Sequence, residues 1–287
     1  MSIVIWADGR LCGLGDPVAS AVDHGLTVGD GIFETCSVAG GRAFALTRHL
    51  RRLARSARGL GLADPDEAAI RAGVDAVLAA ADPDVGRVRI TVTAGPGPLG
   101  SNRAEAGTAR QTVLVLAGPV VRSDVARVIR VSWVRNERSA VAGLKTTSYA
   151  ENVVALAEAC RRGADEALLA NTVGDLCEGT GSNVLVERDG ELVTPSLASG
   201  CLAGITRELL LEWAASGGLP VREARAGELP FEVLDEVAAG SGHLALCGSI
   251  RNVVPVVSLD GRDAIPGDLS LAARHLFETR SAENVDP

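Results

Sequence analysis

Two apolar periods interleave along this chain, and that interleaving limits the folds open to it. Leu46, Leu50, Leu53, Ala57 and Leu60 recur at helical spacing, with arginines on the opposite face. Residues 87–94 instead alternate and are rich in β-formers, which predicts a strand. Asp64-Pro65-Asp66-Glu67 reads as a helix start, with a cap, an early proline and an acid, and that helix should run to about Ala80. Further strands are expected at residues 3–6, 111–116, 128–134, 243–246 and 253–257, and further helices at 150–162 and 206–215. Residues 183–193 read as a hairpin turning at Asp189-Gly190, and the tail 281–287 as loose. Strands and helices mix in both halves, so the expected class is α/β (α+β) in two domains, 1–119 and 120–287. The boundary is set at Gly118-Pro119.

Composition narrows the function. Hydrophobic residues make up 47% of the 287 but aromatics only 3%, so alanine, valine and leucine must fill the core. A net charge of −8 argues against nucleic acid or an anionic membrane as partner. No apolar run approaches the roughly 20 residues of a membrane span. The opening MSIVIWADGR lacks the layout of a signal peptide, which points to the cytoplasm. The six cysteines are scattered, without metal-ligand spacing, so no metal site is expected and the thiols should be reduced.

Lys145 is the only lysine among 28 basic residues. A lysine amine can lose its proton and form a Schiff base with a carbonyl, which arginine cannot do. A chance surface leftover is the competing explanation. Three other stretches bear on the choice. Gly95-Pro96-Gly97-Pro98-Leu99-Gly100 matches a dinucleotide fingerprint. Two of its variable positions are prolines without an N–H, and SNRAEAGTAR after it has no apolar helical face, so a plain glycine-rich loop is expected. Leu202-Ala203-Gly204-Ile205-Thr206-Arg207 opens a helix whose free N–H groups could hold a phosphate, or it is a simple cap. Glu178 sits in a small-residue loop before a strand, either solvated or held against a protonated ring nitrogen. Gly248-Ser249 is a third anion candidate. Amine, carboxylate and phosphate cradle together are the parts a pyridoxal-phosphate enzyme needs.

Their order resembles the fold-type IV pyridoxal-phosphate enzymes, the class IV aminotransferase family. The resemblance runs through DHGLTVGDGIFET, HLRRL, GLKTTSYAEN, DLCEGTGSNV, LAGITRE and GSIRNVVPV. It implies a smaller N-terminal and a larger C-terminal domain, with pyridoxal 5'-phosphate in the cleft between them and Lys145 in the second. It implies that Lys145 is the catalytic lysine and that Glu178 pairs with the pyridine nitrogen. Arg52, Ile205, Thr206 and Ser249 would hold the phosphate, and Leu202 would pack on the ring. Arg51 would face solvent. Tyr149, the only tyrosine, lies four residues after the lysine where branched-chain enzymes use five, so a cofactor contact and a structural role both stay open. Phe33 would line the pocket, and Arg89 would bind a substrate carboxylate or sit in an ion pair. Val28 stands near where the branched-chain enzymes carry an aromatic.

The implied activity is transamination between an amino acid or amine and a keto acid, in a homodimer. 4-Amino-4-deoxychorismate lyase, with the same cofactor and lysine, is the alternative enzyme. A non-catalytic ligand-binding protein on the same scaffold is the alternative of another class.

Overall fold

The computed structural model describes residues 3–105 and 110–287, so part of the stretch after the glycine-rich loop, residues 106–109, lies outside the described residues. The chain divides into two units. The first comprises Met1–Val121, Leu144–Tyr149 and Val285–Pro287; the second comprises Arg122–Gly143 and Ala150–Asn284.

The first unit is built on β1 (Val4–Ala7), β2 (Arg10–Cys12), α1 (His24–Thr27), β3 (Gly31–Ala39), β4 (Arg42–Ala43), α2 (Leu46–Leu60), α3 (Glu67–Ala80), β5 (Val85–Thr93) and β6 (Thr112–Pro119). Its six strands pair antiparallel in the order β2-β1-β6-β5-β3-β4. Alternation sends Val88, Ile90, Val92, Val113 and Val115 to one face, where they pack with Leu50, Leu53, Ile70, Val74 and Val77 of the two long helices. Gly73 lets α3 come close, because a Cβ there would lie 2.8 Å from the Trp6 ring. Arg87 and Arg89 point to the other face and are exposed.

The expected starts of α2 and α3 form in different ways. Asp66 caps α3 through Ala69 N, as its sequence predicts. No local side chain caps α2, whose N-cap Ala45 is left-handed at φ 53°. The cap comes from the far end of the chain. Asp286 accepts from Thr47 N at 2.9 Å and from Thr47 Oγ1 at 2.6 Å, and Ala45 N donates to Val285 O at 2.7 Å. The expectation of a loose tail is therefore corrected: a helix reaches Glu283 and the next residues are tied to α2 by hydrogen bonds.

The second unit contains β7 (Ala126–Arg135), α4 (Ala150–Arg161), β8 (Glu166–Asn171), β9 (Leu176–Gly179), β10 (Asn183–Arg188), β11 (Glu191–Thr194), α5 (Ile205–Gly217), β12 (Val221–Glu223), α6 (Val233–Ala238), β13 (His243–Gly248), β14 (Asn252–Leu259), β15 (Arg262–Asp263) and α7 (Asp268–Glu283). Its strands form one mixed sheet ordered β12-β11-β10-β13-β14-β7-β8-β9, with β15 on β14. The sheet is covered on both faces. Ala155 and Ala159 of α4 pack on Ile129, Ala167 and Leu169, while Val233, Leu234 and Val237 of α6 pack with Val128, Leu168 and Val184. The β10–β11 hairpin turns through Asp189 and Gly190, both at positive φ, as their Asp-Gly pairing predicts.

The segment carrying Lys145 stands apart from the sequence around it. It packs in the first unit, not with the rest of the C-terminal part. The reason is backbone pairing with β3. Phe33 N donates to Lys145 O at 3.0 Å, Thr147 N donates to Gly31 O at 2.8 Å, and Ile32 bridges Thr146.

Candidate active site

Strand β3 and helix α2 fix the lysine. Beyond the Phe33 contact, the Lys145 amide donates to Ser56 Oγ at 3.1 Å, so both main-chain polar groups of the lysine are engaged. Thr147 Oγ1 donates to Gly29 O at 2.9 Å, which ties the same segment to the turn before β3. The side chain then runs to Phe33, with Nζ 4.5 Å from the ring centroid. Arg89 Cζ lies 3.9 Å from the same centroid, and the Tyr149 ring meets Phe33 edge-on at 5.2 Å. One aromatic ring thus gathers an amine, a guanidinium and a phenol. Partial burial pulls the Arg89 guanidinium below its ordinary range and Tyr149 works against this, but an arginine stays cationic. Among the described residues, no carboxylate side chain pairs with Arg89.

Arg52 lies on the buried face of α2 and Arg51 beside it is exposed, which separates the two arginines as expected. Arg52 Nε donates to Glu34 Oε1 and Nη2 to Glu34 Oε2, both at 2.7 Å. His49 Nδ1 lies 2.6 Å from Glu34 Oε2. Burial opposes the glutamate charge. Arg52 and then His49 outweigh it and hold the carboxyl far below the usual range. Burial also pushes the His49 pKa down, and the Glu34 charge and its hydrogen bond work against that. Glu34, His49 and Ser56 were given no role at the sequence level. His49, Arg52 and Ser56 sit three and four residues apart on one helix face, and that spacing is the signal that could have grouped them.

In the second unit, β9 carries Glu178, whose Oε2 accepts the Leu202 amide at 2.9 Å. Arg135 Nε stands 3.4 Å from Glu178 Oε1, and Arg135 Nη1 donates to Asn152 at 3.2 Å. Arg135 is a further residue that the motifs did not reveal. Asn183 Nδ2 donates to Leu202 O at 2.9 Å, and a Cβ on Gly204 would overlap the Asn183 side-chain oxygen. Glycine is therefore required where α5 begins. Its N-cap offers no side-chain hydrogen bond to the first turn, where Ile205 and Thr206 are buried. Ser249 lies in the turn between β13 and β14, and the neighbouring Gly248 packs on Gly181 and Ser182. Buried Glu166 joins these pieces, accepting from Thr180 Oγ1, Gly181 N, Ser182 Oγ and Arg251 Nη2. The unit thus brings together Glu178, Leu202, the start of α5 and the Ser249 turn.

The glycine-rich loop carries no such arrangement. Residues 99–105 form no helix, and the loop packs on His24, whose Nε2 contacts Pro98 O at 2.9 Å. No group of His, Cys, Asp and Glu among the described residues could hold a metal ion, and no described helix is long and apolar enough to cross a membrane.

Residues 31–259 match the family described as amino-transferase class IV. The chain is 32% identical over 284 residues to a bifunctional aminodeoxychorismate lyase / D-amino acid transaminase of Mycobacterium tuberculosis, covering 91% of this chain and 92% of that one. It is 28% identical over 275 residues to a branched-chain-amino-acid aminotransferase of Pseudomonas aeruginosa, covering 90% and 85%. A solved structure of a hypothetical aminotransferase from Mycobacterium tuberculosis in its PLP-bound form superimposes with a TM-score of 0.82 at 27% identity, covering 97% of this chain and 98% of that one.

Proposed function

The chain belongs to the class IV aminotransferase family and is a pyridoxal-phosphate-dependent aminotransferase, and from that premise we propose that Lys145 is the amine that captures the cofactor's aldehyde. The residues present suit such a cofactor. Lys145 offers a primary amine, Arg52 a buried guanidinium, Gly204 a helix start without a side-chain cap, and Glu178 a carboxylate held in place by the Leu202 amide. In this reading Arg52, Ile205, Thr206 and Ser249 hold the phosphate, Leu202 covers the ring and Glu178 keeps its nitrogen protonated. Tyr149 contacts the phenolic oxygen. When bound, pyridoxal phosphate supplies an aldehyde for an amino group and a ring that withdraws electrons.

The chain's own residues do the rest. Lys145 Nζ removes and returns the proton at the carbon that bears the amino group. Phe33 walls the amine, and Arg89 binds a substrate carboxylate beside it. The substrates are an amino donor and a keto acid acceptor. The same reading has the enzyme working as a homodimer in the cytoplasm, a reducing compartment that suits six free thiols.

The observation that carries this reading is the placement of Lys145, pinned through both main-chain polar groups while its side chain reaches Phe33. Borohydride reduction followed by peptide mass analysis should find a pyridoxyl group on Lys145; an unmodified Lys145 peptide overturns the assignment. Lys145→Ala should lose turnover, a fall of about a thousandfold or more as for other covalent nucleophiles. The relative named for both activities supports lyase chemistry as a second reading. Release of pyruvate and 4-aminobenzoate from aminodeoxychorismate, with no keto acid added, would select it.

A further inference from the structure

Glu34 is the most deeply buried charge in the first unit, with 0% exposure, and the chemistry assigned above does not use it. It faces one arginine and one histidine, both from the same face of α2. We propose that Glu34 is a positioning residue for Arg52, gripping the guanidinium by Nε and Nη2 so that the cofactor's phosphate meets a guanidinium of fixed orientation. The inference rests on the reading of Arg52 as the phosphate's cation.

Three observations support it. The grip is bidentate, with two 2.7 Å contacts, the geometry that fixes a guanidinium plane rather than merely neutralising it. His49 donates to the shared Oε2, which anchors the carboxylate from a second side and leaves Glu34 fully charged. The rotamer freedom of a long side chain is thereby given up before any anion arrives.

The same two elements also fix the amine. Phe33, next to Glu34 on β3, holds Lys145 O, and Ser56, one helical turn beyond Arg52 on α2, holds Lys145 N. Adjacent residues on a strand and one turn of a helix are rigid spacers. The frame therefore holds the main chain of Lys145 at a fixed place relative to Arg52, within reach of one ligand's aldehyde and phosphate. Its consequence is discrimination. Loss of Glu34 should weaken the phosphorylated cofactor and leave the unphosphorylated one alone.

The test titrates the enzyme, stripped of cofactor, with pyridoxal phosphate and separately with pyridoxal, following absorbance. Glu34→Gln keeps the volume and one acceptor. It should raise Kd for pyridoxal phosphate about tenfold or more, the size of one charge-assisted hydrogen bond, and change Kd for pyridoxal by less than about twofold. Equal weakening of both ligands marks a merely structural residue and overturns the proposal, as does no weakening of either. Arg52→Lys separates this inference from the reading beneath it. If Arg52→Lys leaves pyridoxal phosphate binding intact, the reading of Arg52 falls. If it weakens that ligand selectively while Glu34→Gln does not, only the role of Glu34 falls. Should Glu34→Gln not fold, His49→Gln removes the lesser support and should give the same selectivity at about threefold; equal loss of both ligands there overturns the proposal as well.

Discussion

A glutamate shut away from water keeps its charge only because of what touches it. Glu34 is held far below the ordinary carboxylate range, so its contribution to folding is present above the unfolded pKa of about 4.3 and is lost as pH falls toward the folded value. Glu34→Gln should therefore flatten the acid limb of the stability curve below about pH 4, measured by urea denaturation at a series of pH values. An unchanged limb would assign acid unfolding to other carboxylates. The buried thiols behave with the opposite sign. Burial, with the Glu178 charge adding to it, pushes Cys201 up to about 11, and burial pushes Cys247 up to about 12. Stability from keeping them protonated is full below about pH 8.5 and is lost as pH rises through those values. At pH 8 a thiol reagent should leave both unmodified in the native protein and label them once it is unfolded. Ser56 gives a neutral counterpart. Ser56→Ala removes the acceptor of the Lys145 amide and should cost about 1 kcal/mol. A denaturation midpoint equal to the parent's would mean that the hydrogen bond contributes nothing net.

At the level of elements, two helices begin on caps their own sequence does not supply. The start of α2 depends on Asp286, which lies 239 residues away from Thr47. Asp286→Ala should lower stability by about 1 kcal/mol, as loss of an N-cap does elsewhere. A melting temperature unchanged from the parent would show that the tail is not the cap. Helix α7 begins on Glu187 of β10, which accepts from Leu269 N at 3.1 Å and Ser270 N at 2.8 Å. Gly267 leaves room for that carboxylate, since a Cβ there would overlap it. Local cap signals fail for both helices because the acceptors come from other elements. A different cause, burial on both faces, hides the strands that the sequence did not reveal. β8 is buried at every position and β3 at most of its positions, so apolar residues do not alternate there. β3 also carries Glu34 in its interior, which breaks an apolar run. β5 and α2 have one wet face each, and their periods are plain.

On the scale of the molecule, each unit carries part of the residue set proposed to hold the cofactor. The first holds Lys145 and Arg52; the second holds Glu178, Leu202, the start of α5 and Ser249. Binding to the folded state alone adds about 2.7 kcal/mol when free ligand is a hundred times Kd, so pyridoxal phosphate should raise the melting temperature of the stripped enzyme by several degrees. Lys145→Ala should lose most of that rise, and a full rise in the variant would detach stabilisation from the lysine. By itself the sequence determined the mixed class, the amphipathic helices, the Asp-Gly hairpin and the motif residues, because spacing and residue chemistry are written locally. Only the tertiary structure decided that the Lys145 segment packs with the first unit, that Glu34 grips Arg52 while Ser56 holds the Lys145 amide, and that the tail caps α2. Those outcomes depend on hydrogen bonds between residues far apart in the chain, and a local pattern carries no record of which distant donor will meet which acceptor.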